Sequence, residues 1–92
     1  EDNSLSNFGI KAYPNPATKH VTMELSLNEV SKINLGIFDL MGRKITDLSS
    51  QEKLSTGSHY FNWNTTGIDP GVYLYKLDLG NNSITEKIIV TR

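Results

Sequence analysis

The side chains of this sequence that are able to carry metal or acid–base chemistry are few and far apart. A zinc site needs at least a third ligand beside His20 and His59, and the residues around these two histidines supply none. The carboxylates occur singly, whereas an acid–base pair has to meet across a cleft, which a thin domain without long loops rarely forms. These patterns favour exposed imidazoles and solvated carboxylates over a reactive site.

Other reactive arrangements are also weak. Asp78, Asn81 and Asn82 offer oxygen ligands for calcium, but Asp and Asn also suit a hairpin turn because they tolerate a positive φ. Ser58 has no Gly-x-Ser-x-Gly elbow around it, and the glycines do not cluster into a phosphate-binding loop. The absence of cysteine excludes a thiolate metal site, a cysteine nucleophile and a disulfide framework. The sequence therefore predicts no catalysis and no cofactor.

Length and charge narrow the class of partner. Ninety-two residues are enough for one domain with a thin core. The 9 Lys and Arg residues nearly balance the 10 Asp and Glu residues, which gives a formal net charge of -1. Domains that bind nucleic acid usually carry a basic face, and no basic run is present here. A nucleic-acid partner is therefore excluded and, with no reactive constellation, we expect no small-molecule substrate.

Short strands are the elements that have to position these side chains. Apolar and polar residues alternate from Val21 to Leu27 and again from Ile33 to Phe38, and this period of two predicts half-buried strands. No window fits a helix, and turn residues separate the apolar segments at regular spacing. This pattern is typical of an all-β antiparallel sandwich of about seven strands. The predicted strands are 8–13, 21–27, 33–38, 44–48, 60–64, 72–79 and 84–90, with 49–56 as a loop.

The chain divides into a short polar start and a folded domain. Residues 1–7 are polar and are predicted to be a linker from an upstream domain, and residues 8–92 form the sandwich. The prolines at 14 and 16 end the first strand because proline lacks a ladder donor. Since the sequence starts at Glu1 without a methionine or a leader, we expect it to be a piece of a longer protein.

Aromatic side chains leave two interpretations open. A flat exposed aromatic platform flanked by Asn and Asp would bind sugar rings, whereas a core this small needs its large aromatics for burial. Tyr73 either anchors a loop through its hydroxyl, as in a tyrosine corner, or is a half-buried strand residue with its hydroxyl in water. The aromatic residues concerned are Tyr13, Tyr60, Phe61, Trp63, Tyr73 and Tyr75.

Four stretches, in order along the chain, carry recognisable motifs: Ala12–Ala17, Ile37–Lys44, Pro70–Leu77 and Glu86–Arg92. The motif residues of the first two are Tyr13, Pro14, Asn15 and Pro16, followed by Asp39, Gly42 and Arg43. The third contains Gly-x-Tyr, and the fourth ends in Lys-Ile-Ile-Val-Thr-Arg. Together these stretches resemble the type A C-terminal sorting domain of the type IX (Por) secretion system, and the resemblance covers residues 8–92.

The resemblance implies a fold, a role and a route. It implies an immunoglobulin-like sandwich at the C-terminus of a secreted cargo protein of a Gram-negative bacterium. Such a domain is a non-catalytic signal that meets outer-membrane shuttle proteins and the translocon from the periplasm. A sortase-type surface protease usually removes it, so that the cargo ends at the cell surface or outside the cell. The cut would lie in residues 1–7 or upstream of them.

The resemblance also assigns residues to recognition. The family's role carries over to the closing stretch Lys87, Ile88, Ile89, Val90 and Arg92, and to Gly71 and Tyr73. Within that stretch, Ile88 and Val90 alternate inward as core residues would, which leaves Lys87, Ile89 and Arg92 as exposed candidates. The edge of the last strand is expected to be open to a partner strand or to a second copy of the chain, which would make a homodimer.

Two further functions are compatible with the composition. One is a carbohydrate-binding accessory module of a secreted hydrolase, and the other is a passive structural spacer. A closing Lys-Ile-Ile-Val-Thr-Arg at the terminus favours a sorting signal over both, because neither alternative has a reason to end in that way.

Overall fold

The computed structural model describes residues 8–80 and 82–91 and contains seven strands in that part of the chain. They form two antiparallel sheets, which we call sheet A (order β1-β2-β5) and sheet B (order β4-β3-β6-β7). The predicted all-β sandwich of about seven strands is therefore confirmed. The strands are β1 Phe8–Tyr13, β2 His20–Leu27, β3 Ser31–Asp39, β4 Lys44–Leu54, β5 Gly57–Asn64, β6 Gly71–Leu79 and β7 Asn82–Val90.

The core lies between the inner faces of the two sheets. Alternation along β2 and β3 buries one face of each strand completely, because successive side chains of a strand point to opposite sides of the sheet. Trp63 of β5 and Tyr75 of β6 add the two large aromatic rings of the core and are 3% and 4% exposed. The other buried apolar residues are Ala17, Val21, Met23, Leu25, Leu27, Ile33, Leu35, Ile37, Leu77, Ile88 and Val90.

The loop predicted at 49–56 is wrong, because β4 continues as a strand to Leu54. This segment has no apolar alternation, and most of its side chains face solvent at the edge of sheet B. Its pairing with β3 is irregular, and Gln51 has a positive φ of 54°. The Asn34 side-chain oxygen accepts hydrogen bonds from the Gln51 backbone nitrogen at 2.8 Å and its side-chain nitrogen at 3.2 Å. Because this edge strand is held by a side-chain bridge and not by a buried face, its sequence has no apolar alternation from which a strand could be predicted.

The register fixes which strand ends lie together. Phe8 pairs with Leu27 and Tyr13 pairs with Thr22, so β1 begins where β2 ends and runs back toward the start of β2. The body measures 38 × 24 × 20 Å. In the described residues no helix is long and apolar enough to cross a membrane. The predicted linker at 1–7, together with Asn81 and Arg92, lies outside the described residues.

Candidate recognition surface

The four motif stretches meet at one end of the sandwich, which we call the motif end. Asp39 pairs with Tyr73 and Tyr73 pairs with Ile88, so three of the stretches stand side by side on β3, β6 and β7. The first stretch joins them through a parallel bridge between Ala17 and Val90. Residues more than 70 positions apart in the sequence therefore share one small region.

The first stretch extends sheet B by covering the outer edge of β7. The Ala17 backbone nitrogen donates to the Ile89 carbonyl oxygen at 2.7 Å, and the Ala17 carbonyl oxygen accepts from the Thr91 backbone nitrogen at 2.7 Å. The Asn15 side chain continues this ladder, since its oxygen accepts from the Ile89 backbone nitrogen at 3.0 Å and its nitrogen donates to the Lys87 carbonyl oxygen at 3.3 Å. We call residues 13–17 the edge clamp.

The edge clamp leads directly into a segment tied to sheet A. The Thr65 backbone nitrogen donates to the Lys19 carbonyl oxygen at 2.9 Å, and the Thr65 hydroxyl donates to the Thr18 carbonyl oxygen at 3.1 Å. Thr65 is fully buried, although it follows β5 in a polar stretch. Sequence reasoning missed Thr65 and the structural use of Asn15, because neither has a local pattern that reports a partner so distant in the chain. The segment closes the sandwich between its two sheets.

The second stretch is a turn that the Asp39 side chain holds in shape. One oxygen of Asp39 accepts from the backbone nitrogens of Met41 and Arg43, both at 2.9 Å, and the other accepts from the Arg43 guanidinium at 3.0 Å. The hydrogen bond from the Arg43 backbone is the main reason why the pKa of Asp39 is lowered. Gly42 has a φ of +87°, a conformation that a residue with a Cβ rarely adopts. Asp, Gly and Arg at these positions therefore specify the turn.

The third stretch contains a tyrosine corner, which decides between the two interpretations of Tyr73. Its hydroxyl donates to the Asp69 carbonyl oxygen at 2.6 Å, and its ring packs edge-on against Trp63 with centroids 5.4 Å apart. Gly71 has a φ of +154°, which also suits glycine. Tyr73 therefore holds the loop before β6 against the core, and Gly71 allows the backbone conformation where β6 begins.

The fourth stretch divides into inward and outward side chains. Ile88 and Val90 are 0% and 1% exposed and belong to the core. Lys87 is exposed, and Ile89 is 42% exposed on the outer face of sheet B. The structure therefore leaves Lys87 and Ile89 accessible among the described recognition candidates.

The edge of β7 is less open than the sequence indicates. β7 is an edge strand, but the clamp occupies its outward backbone groups from the Lys87 carbonyl to the Thr91 amide. Backbone groups of every second residue in an edge strand point outward. In β7 the outward N–H and C=O groups that remain for a partner strand are those of Ser83 and Thr85 and the Lys87 amide. Strand addition along the recognition stretch would first have to displace the clamp.

The residues considered for other chemistry do not come together. His59 lies opposite Leu25, five positions along β2 from His20, which is about 17 Å at the rise of a strand. In residues 8–80 and 82–91 no group of three His, Cys, Asp or Glu side chains has the geometry of a metal site. Of the six aromatic residues of the possible platform, Tyr13 and Tyr60 are exposed, at 41% and 59%. The rest are buried or half-buried.

Comparisons with known proteins agree with this geometry. A family model described as "Secretion system C-terminal sorting domain" matches residues 11–91. The fold is similar to part of dimeric latent PorU from Porphyromonas gingivalis, with a TM-score of 0.71 and 22% identity. That similarity covers 91% of this chain and 9% of PorU, and it supports the fold alone. No curated protein is significantly similar to the chain. Because the family match spans nearly all of the sequence, the chain belongs to the secretion system C-terminal sorting domains, and it is a sorting signal of type IX secretion, as its motif stretches predict.

Proposed function

We propose that this domain is the non-catalytic export signal of a cargo protein attached ahead of Phe8. A type IX sorting signal implies transit to the cell surface or the extracellular space. In the proposed route the folded domain is recognised in the periplasm and carries the cargo through the outer-membrane translocon with its shuttle proteins. A sortase-type protease then removes the domain at the cell surface.

The meeting of the four motif stretches at one end is the observation that carries this proposal. A signal that is read as a shape needs a fixed surface, and the edge clamp, the Asp39 turn and the tyrosine corner each hold that end in place. We propose Lys87, Ile89 and Arg92 as the side chains that the machinery contacts. In the same proposal Gly71, Tyr73, Ile88 and Val90 support them from within the fold.

The proposal includes a homodimer through a strand edge, limited to the part of β7 that the clamp does not cover. The clamp leaves the first half of β7 open, so self-pairing would centre on Thr85 and not on the recognition stretch. In that arrangement the motif end stays available to the export machinery.

The test is an export assay with these 92 residues fused behind a fluorescent protein that is directed to the periplasm. The fusion is expressed in a bacterium with a working type IX system and in its translocon-deficient mutant. We expect export and cleavage in the working strain and retention in the mutant. Retention in both strains, with the domain shown by circular dichroism to be folded, would contradict the proposed function.

A further inference from the structure

The outer face of sheet B carries apolar side chains at the motif end that the core does not use. Phe38, Val72 and Leu74 are half-buried, and strand alternation points them to the face opposite the inward residues Ile37, Tyr73 and Tyr75. Ile89 stands opposite Val72 on this face and is 42% exposed. The apolar stripe therefore crosses β3, β6 and β7.

The Asp39 turn adds two further apolar side chains beside this stripe. Leu40 and Met41 are 63% and 83% exposed, and the turn that bears them is fixed by the bonds to Asp39. With Ile89 they make up three of the seven large exposed hydrophobic side chains in residues 8–80 and 82–91. Large apolar residues gathered on a rigid surface typically mark an interaction site.

The charges around the stripe have a small positive excess, since the cations Arg43, Lys44, Lys76 and Lys87 stand against three carboxylates. Asp39 is paired with Arg43 at 3.0 Å and Asp47 with Lys44 at 2.9 Å, and Asp78 lies farther along the same face beside Lys76. Arg43 and Lys44 nevertheless keep 80% and 50% of their side-chain surface exposed. Lys87 faces outward opposite Leu74 and has no ion pair within the described part of the chain.

We propose that this surface, made of Leu40, Met41, Val72, Leu74, Lys87 and Ile89, docks into an apolar groove bordered by carboxylates on a protein of the export machinery. The proposal rests on the proposed function and extends recognition from the last strand to the Asp39 turn and the face of β6. Carboxylates suit Lys87 and the exposed cations near it, whereas a second copy of the chain would oppose positive charge with positive charge. The apolar stripe extends across three strands, which suits contact with a shaped protein surface. Insertion into a bilayer would need only a protruding loop.

The apolar part is tested in the export assay with the double variant Leu40→Ser and Met41→Ser. Its matched control is Val30→Ser, because Val30 is 55% exposed at the opposite end of the sandwich. We expect about tenfold less export for the double variant, because apolar side chains that become buried in an interface commonly contribute that much to binding. The control should be exported as well as the wild type, and thermal unfolding should show that both variants are folded.

The charged part is tested by reversing Lys87. We expect Lys87→Glu to lower export several-fold and Lys87→Arg to retain it, while Lys32→Glu, at the other end of β3, leaves export unchanged. If the wild type and the double variant are exported equally well, this inference is overturned and the proposed function stays intact. Failure of the wild-type fusion would instead overturn the proposed function.

A binding assay separates a protein groove from a lipid surface. The purified 92-residue domain is sedimented with phosphatidylglycerol vesicles, and we expect it to stay in the supernatant. Sedimentation that is lost in the Leu40→Ser, Met41→Ser variant would assign the surface to a membrane and contradict the protein partner.

Discussion

Asn15 and Asp39 have side chains of nearly the same shape and use them over very different distances. Asn15 reaches a strand more than 70 residues away, where it accepts from one backbone group and donates to another. Asp39 accepts three hydrogen bonds within four residues of itself. Asn15 needs an amide because it has to donate as well as accept, and an ionised carboxylate has no donor. Asp39 only accepts, so a carboxylate suits it.

The pH dependence of folding is expected to report on Asp39. Its pKa lies below the ordinary value of 3.8, so its stabilising effect is complete above that pH and is lost as the pH falls through the folded pKa. The variant Asp39→Asn should therefore unfold at a lower temperature than the wild type near pH 6, and the gap should close below pH 3.8. Thermal unfolding followed by circular dichroism between pH 7 and 2 measures this. A gap that stays constant over the whole range would contradict the role of the carboxylate.

Tyr73 is expected to stabilise the fold through one hydroxyl group. The variant Tyr73→Phe keeps the ring against Trp63 but loses the 2.6 Å bond to the Asp69 carbonyl, which should cost about 1 kcal/mol in the free energy of unfolding. Tyr60→Phe is the matched control, because Tyr60 is 59% exposed on sheet A. Urea unfolding of both variants checks the difference. Equal loss in the two would show that the corner adds nothing.

At the scale of elements, the strands with one buried face were predictable from the sequence. β2 alternates strictly and β3 does so from Ile33 to Ile37 in residue type, and their inward apolar residues make up much of the core. The second half of β4 was not predictable, because an exposed edge strand with irregular pairing and a positive φ at Gln51 has no apolar alternation. β5 likewise begins at Gly57, ahead of the predicted start at residue 60.

The motifs of the candidate site were predictable from the sequence, but their assembly at one end of the sandwich was not. Each stretch can be read locally as a strand end or a turn, and nothing local reports that Ala17 bridges Val90 or that Asp39, Tyr73 and Ile88 stand side by side. The prolines at 14 and 16 mark the end of β1 correctly, but the residue between them covers the edge of another sheet. Sheet order and register supply this information, and both depend on contacts distant in sequence.

The edge clamp is expected to depend on the donor of Asn15. The variant Asn15→Asp keeps the acceptor for the Ile89 amide but places a carboxylate oxygen against the Lys87 carbonyl, so the domain should lose about 1–2 kcal/mol of stability. Asn62→Asp is the control, because Asn62 accepts only, from the Thr22 hydroxyl at 2.7 Å. Urea unfolding, with hydrogen exchange at the Ile89 amide, measures both effects. A stable Asn15→Asp variant with a protected Ile89 amide would contradict the clamp.

For the molecule as a whole, folding and recognition are expected to separate at two adjacent residues. Ile88→Ala removes a fully buried side chain and should cost about 2–5 kcal/mol, a large part of the stability of a small domain. Ile89→Thr changes a half-exposed side chain on a strand and should leave unfolding nearly unchanged while lowering export. Thermal unfolding and the export assay together test the pair. Unchanged export of Ile89→Thr would remove Ile89 from the recognition residues.

The direction of β1 also sets how the domain bears a mechanical load. Phe8 lies at the end of the sandwich opposite the motif end, and β1 runs from there toward the edge clamp. A force between a cargo at Phe8 and machinery at the motif end therefore pulls β1 lengthwise along β2. All six residue pairs of that register are then strained in shear at the same time, so none is loaded before the others. Forced unfolding in this direction would be governed by the rate at which the whole strand slips along β2.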